Sequence, residues 1–198
     1  MKRSLLIVSV LLFVCSAVSA DPFQINFSYS TSGGWPYASY QITPDAGAPA
    51  WMTGFDTFCV EHDVTVDSGK YWATIDDEVL GGGSVGTLLS DDAKKIYAAY
   101  LNGYLNGYTE NQVQYAIWKE RGYSVSAVDL SSVIANSDSI VNWEHVKVLN
   151  LWNSANDNGI CSGDVQSQLV MTPVPVPSAI MLGLLGLGVA NRRLKKHV

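Results

Sequence analysis

The stretch Thr109–Gly122, TENQVQYAIWKERG, holds the best-defined element of the chain and its clearest anomaly. Thr109, followed three residues later by Gln112, reads as a capping box that opens a helix, and Gly122 supplies its stop. At roughly 100° per residue, Val113, Ile117, Gln114 and Trp118 fall at about 0°, 40°, 100° and 140°. The glutamine therefore lies inside the apolar arc. A buried carboxamide without partners costs on the order of 1–3 kcal/mol, so the fold must satisfy Gln114 or some chemistry must use it.

Upstream of this helix, Ser90 reads as an N-cap, Asp91 and Asp92 favour the positive end of a helix, and Ala93, Tyr97, Tyr100 and Tyr104 recur at helical spacing up to Gly107. The two helices form an insertion over about 90–121, and the sequence on either side alternates as strands do. Phe23, Ile25, Phe27 and Tyr29 read as a first strand, broken by Gly33-Gly34-Trp35-Pro36, and Tyr37–Thr43 as a second. Pro44–Pro49 is a turn-rich connector. Met52–Val66, MTGFDTFCVEHDVTV, reads as one long strand with Phe55, Thr57 and Cys59 on one face. Tyr71–Ile75 is shorter, and Gly81-Gly82-Gly83 closes this half. Beyond the helices, Val146–Trp152 and Val165–Met171 read as strands around the turn-prone Asp157-Asn158-Gly159. The pattern predicts a mainly β domain, sandwich or barrel-like, with a two-helix insertion.

Both ends of the chain differ in kind from this domain. Residues 1–20 have a basic start (Lys2, Arg3), an apolar run Leu5–Val14 and the small residues Val18-Ser19-Ala20, the layout of a signal peptide cleaved before Asp21. Export is therefore expected. Residues 173–198 join a proline-rich spacer containing Pro175-Val176-Pro177 to twelve apolar or glycine residues, Ala179–Ala190, and then to Arg192, Arg193, Lys195 and Lys196. Twelve helical residues span roughly 18 Å, short of a ~30 Å hydrocarbon core. Such a helix anchors marginally, with its basic tail on the cytoplasmic side. This three-part segment resembles the PEP-CTERM sorting signal, in its VPxP variant. The resemblance implies an exosortase-type processing enzyme as partner, transient residence in the bacterial inner membrane, and final placement in the cell envelope or extracellular matrix.

Between these ends, Asp21–Thr172 is long enough for one domain with its own core. All 18 acidic residues lie there against only six Lys and Arg, so this segment carries −12 where the whole chain carries −6. Such a surface disfavours nucleic acid. All six Trp and ten Tyr also fall within it, which excludes a disordered linker.

Few catalytic sets survive inspection. His62 and His145 lack metal-ligand spacing, and the Cys59–His62 pair has no second pair to complete a zinc site. No cofactor motif and no turnover chemistry are expected. What remains is Cys59 in FDTFCVEHD and Gln114 in VQYAIW. These segments resemble the thioester domains of bacterial surface adhesins, whose motifs are an aromatic-Cys strand and a later Gln-x-Ala-Ile-Trp helix. The resemblance implies an internal Cys59–Gln114 thioester, shielded by Tyr115 and Trp118, that acylates a surface amine on a partner. Three departures stand beside it: the 55-residue separation is short for such adhesins, their usual anchoring signal is of another kind, and the segment after residue 20 holds a second cysteine, Cys161. In an oxidising envelope two cysteines also read as a disulfide. The alternative is therefore a non-covalent matrix module, associated with exopolysaccharide and stapled by Cys59–Cys161.

Overall fold

The computed structural model describes residues 21–30, 34–36, 38–81, 85–135, 140–156 and 158–174. Six strands form one antiparallel sheet: β1 (Phe23–Tyr29), β2 (Tyr40–Pro44), β3 (Phe55–Thr57), β4 (Gly69–Asp76), β7 (Val146–Ala155) and β8 (Cys161–Met171), in the order β3-β2-β1-β4-β7-β8. A small ribbon, β5 (Glu78–Val79) with β6 (Thr87–Leu88), lies between β4 and the helices in sequence. Three short helices follow, α1 (Asp91–Leu101), α2 (Glu110–Glu120) and α3 (Ser131–Ala135), and a 3₁₀ turn (Trp143–His145) leads into β7. The domain is thus mainly β, as the alternation predicts, and its sheet is a curled half-barrel.

The curl follows from where the apolar side chains point. Phe23, Ile25 and Phe27 of β1 alternate inward, and with Tyr40, Ile42, Ala73, Leu149, Leu151, Val165 and Val170 they fill the inside of the curl. The opposite face of β7 and β8 is also apolar, through Val146, Val148 and Leu169. It packs against Ala93, Ile96 and Tyr97 of α1 and Val113, Ala116 and Ile117 of α2. Buried on both faces, β7 carries a near-continuous apolar run.

Both helix starts form as read. The Ser90 hydroxyl accepts from Ala93 N–H, and Thr109 and Gln112 make the reciprocal capping box. Gly122, at φ +87°, follows the end of α2. The first helix, however, stops at Leu101 rather than running to Gly107. The Asn102 side chain and backbone N–H both bond to the Ala98 carbonyl, which closes the helix and leaves Tyr104 exposed.

The long strand expected over 52–66 does not form. Pairing with β2 ends at Tyr40↔Thr57, and the chain then changes partner: Leu169 N–H donates to the Phe58 carbonyl and Val60 N–H to the Ser167 carbonyl. Residues 58–60 therefore bridge to the opposite edge of the sheet, and the two edges of the curl meet at one short seam. Cys59 is its centre, bridged to Gln168. Residues 1–20, with the expected signal peptide, and Pro175, Val176, Pro177, Ala179–Ala190, Arg192, Arg193, Lys195 and Lys196 lie outside the described residues. Among those described, no helix is long and apolar enough to cross a membrane.

Candidate functional site

The seam leaves a defined backbone need. Hydrogen bonds flank the Cys59↔Gln168 pair on both sides, so Cys59 and Gln168 face each other as a non-hydrogen-bonded antiparallel pair. The N–H and C=O of Cys59 point away from β8, towards the position a longer β2 would occupy. That strand begins only at Tyr40. Gln114 fills the gap. Its Oε1 accepts from Cys59 N–H at 2.7 Å, and its Nε2 donates to the Cys59 carbonyl at 2.8 Å. A carboxamide is a side-chain copy of a peptide group, and here it completes a ladder that the chain leaves open.

Neighbouring polar groups of α2 do similar work. Asn111 Oδ1 accepts from Ala38 N–H at 3.2 Å, and Glu110 Oε2 accepts from Ser39 N–H at 3.0 Å. The first turn of α2 thus stitches down the loop that precedes β2. Gln114 lies between the two cores, with Ile117 and Val113 in one and Trp118 in the other. This position accounts for a glutamine inside an apolar arc.

Cys59 and Gln114 are therefore brought together, both fully buried. The sulfur has partners of its own. Its thiol donates to Gln166 Oε1 at 2.8 Å and receives a hydrogen bond from Gln168 Nε2 at 3.4 Å. Gln166 Nε2 donates in turn to the Glu61 carbonyl at 2.5 Å, and the buried Glu61 carboxylate accepts from Ser167 N–H at 2.9 Å. Burial pushes the thiol up to about 12 from an ordinary 9.0; the Gln168 hydrogen bond works against this, and the Glu61 charge adds to it. Because the folded value is raised, the thiol's contribution to stability is fully present below pH 9.0 and is lost as pH rises towards about 12.

Cys161 stands elsewhere. It opens β8 opposite Ala155, seven residues before Gln168, and seven residues of strand extend roughly 23 Å. A disulfide needs Cα atoms within about 7 Å. Among the described residues both cysteines, Cys59 and Cys161, are free, and the Cys59–Cys161 disulfide reading is corrected accordingly. In native protein at pH 8, iodoacetamide is expected to modify the partly exposed Cys161 and to spare the buried Cys59. Equal native labelling of both would contradict the buried, protonated thiol.

The expected shielding aromatics take different positions. Trp118 is 1% exposed and Tyr115 is half-buried, their ring centroids 5.8 Å apart. Three further rings complete the group: Trp35 stacks on Trp118 at 5.5 Å, His62 meets Trp118 edge-on at 4.8 Å, and Tyr123 lies 5.7 Å from His62. Tyr123, Glu61, Gln166 and Gln168 escape the sequence reading, which weighs His62 only as a metal ligand and Trp35 only as part of a strand break. The two glutamines carried a usable signal, because their i, i+2 spacing in VQSQLVM puts two carboxamides on one face of a strand bounded by apolar residues. Among the described residues, no group of three or more His, Cys, Asp or Glu could hold a metal ion. No family model, curated protein or solved structure matches this chain.

Proposed function

We propose that the protein is an exported component of the cell envelope or extracellular matrix, delivered by its C-terminal sorting segment, and that it acts once as a covalent adhesin through Cys59 and Gln114. The observation that carries the covalent reading is the Gln114 carboxamide held by two hydrogen bonds on Cys59, in a site closed to water. Attack of the Cys59 sulfur on the Gln114 side-chain carbonyl forms the S–C bond and breaks the C–N bond. The thiol proton leaves with the nitrogen as ammonia. A primary amine on a partner then reverses the electrophile's fate: a new C–N bond forms at Gln114, the S–C bond breaks, and the sulfur regains a proton.

Methylamine tests this reading. Exported protein should take up one methylamine at Gln114, and Cys59→Ala and Gln114→Ala should each abolish uptake. Uptake that survives Cys59→Ala would contradict it. The sorting reading has its own test: protein recovered from the surface of the native host should begin at Asp21 and lack Arg192 to Lys196, and recovery of intact Val198 there would overturn it.

A second reading rests on the sulfur's engagement with Gln166 and its upward-shifted titration. In it the protein is a non-covalent, exopolysaccharide-associated matrix module, and Gln114 is solely the clamp that closes the seam. Methylamine uptake separates the two.

A further inference from the structure

Among the described residues, four buried carboxamides lie at or beside the seam, and three have both their oxygen and their nitrogen engaged. Gln114 binds the Cys59 backbone through Oε1 and Nε2. Gln166 joins the thiol to the Glu61 carbonyl. Asn150 accepts from Leu80 N–H and Ser167 Oγ and donates to the Glu78 carbonyl. Gln168 is the exception. It is fully buried, and its Nε2 donates to Cys59 Sγ at 3.4 Å and to the Gln166 carbonyl at 3.2 Å. Its Oε1 is buried with no hydrogen-bond partner.

A buried acceptor left open is unfavourable, and native folds keep few of them. This one belongs to the carboxamide that touches the candidate nucleophile, and an open acceptor calls for an N–H donor. The reaction assigned to Cys59 supplies such donors twice, as the ammonia that leaves and as the amine that enters.

We propose that Gln168 is the amine-handling residue of this site: Nε2 holds the sulfur while Oε1 receives an N–H of the departing ammonia and later of the incoming primary amine. The inference rests on the Cys59–Gln114 thioester reading and adds a ligand class and a named contact to it. Gln168 takes no proton and forms no covalent bond. It orients the nitrogen, whose proton passes to the sulfur as the S–C bond breaks. Gln166 and Glu61, which share this side of the seam, are engaged with the thiol and the β8 backbone.

The test is a competition between methylamine and water for the thioester in the full-length protein. Aminolysis leaves an N-methylamide at position 114 and hydrolysis leaves a carboxylic acid, and the two are distinguished by mass. A residue that only supports the fold would change both rates alike. With Gln168→Met, the ratio of amide to acid is expected to fall about tenfold or more, with the melting temperature held. Gln168→Leu provides a second apolar replacement should Gln168→Met fail to fold. An unchanged ratio in a folded variant that still forms the thioester would overturn the role of Gln168. Wild-type protein that loses no ammonia would overturn the thioester reading itself, and this inference with it, and is recognised before any variant is made.

Discussion

Replacing Gln114 by Leu is expected to destabilise the domain by about 2–6 kcal/mol relative to protein that retains the carboxamide, because it strands the N–H and C=O of Cys59 together in a buried site, each at about 1–3 kcal/mol. Leucine adds apolar contact but offers the Cys59 peptide neither an acceptor nor a donor. The two groups cannot turn to β8, since Phe58 and Val60 already make the bonds on that side. They cannot turn to β2, which begins only at Tyr40. For a domain of this size the loss corresponds to a fall in melting temperature on the order of 10 °C. Gln114→Asn, shorter by one methylene, should behave similarly although it keeps the carboxamide. Thermal unfolding checks both, and a Leu variant within 1 °C of wild type would show that the clamp contributes little.

Trp118→Ala should cost about 3–5 kcal/mol, the usual range for emptying a buried aromatic position. The indole is 1% exposed and packs with the residues filling the curl, while Trp35 stacks on it at an interplanar angle of 28°. The same variant should lose the near-ultraviolet circular dichroism that two stacked indoles produce. Trp118→Phe makes the informative contrast. Trp118 Nε1 is buried without a partner, so phenylalanine removes an open donor along with the smaller part of the ring. Its cost should stay within about 1–2 kcal/mol. A phenylalanine variant as unstable as the alanine one would mean that Nε1 has a hydrogen bond in solution.

What could be read from the sequence was local. Phe23 to Tyr29 forms β1 with the bounds its alternation suggests, because one face of that strand fills the curl and the other does not. The caps at Ser90 and Thr109 depend on residues within one turn, and both form. Tyr104 misled because a helical spacing says nothing of where a C-cap intervenes, and Asn102 ends the helix first. The partner change after Thr57 was invisible for another reason. It depends on β8 arriving more than a hundred residues later, and alternation along 52–66 is unaltered by which strand lies alongside. For the same cause the cysteine count suggested a disulfide that the β8 register keeps apart. Gln114 was legible as an anomaly, and so was its association with the Cys59 segment. Its contact with the Cys59 backbone rather than the sulfur follows from the seam and could not be seen beforehand. Gln166 and Gln168 posed the same question as Gln114, a carboxamide on a buried face, and their i, i+2 spacing in VQSQLVM carried the signal.

The proposed thioester makes Cys59 and Gln114 one covalent unit. It is tested most directly by the intact mass of the exported protein, purified without amines or reductant, followed by digestion. The expected result is a mass lower than the mature sequence by one ammonia and a single peptide pair joining Cys59 to Gln114. Full sequence mass, with Cys59 and Cys161 both alkylated after unfolding and no joined peptides, would contradict it.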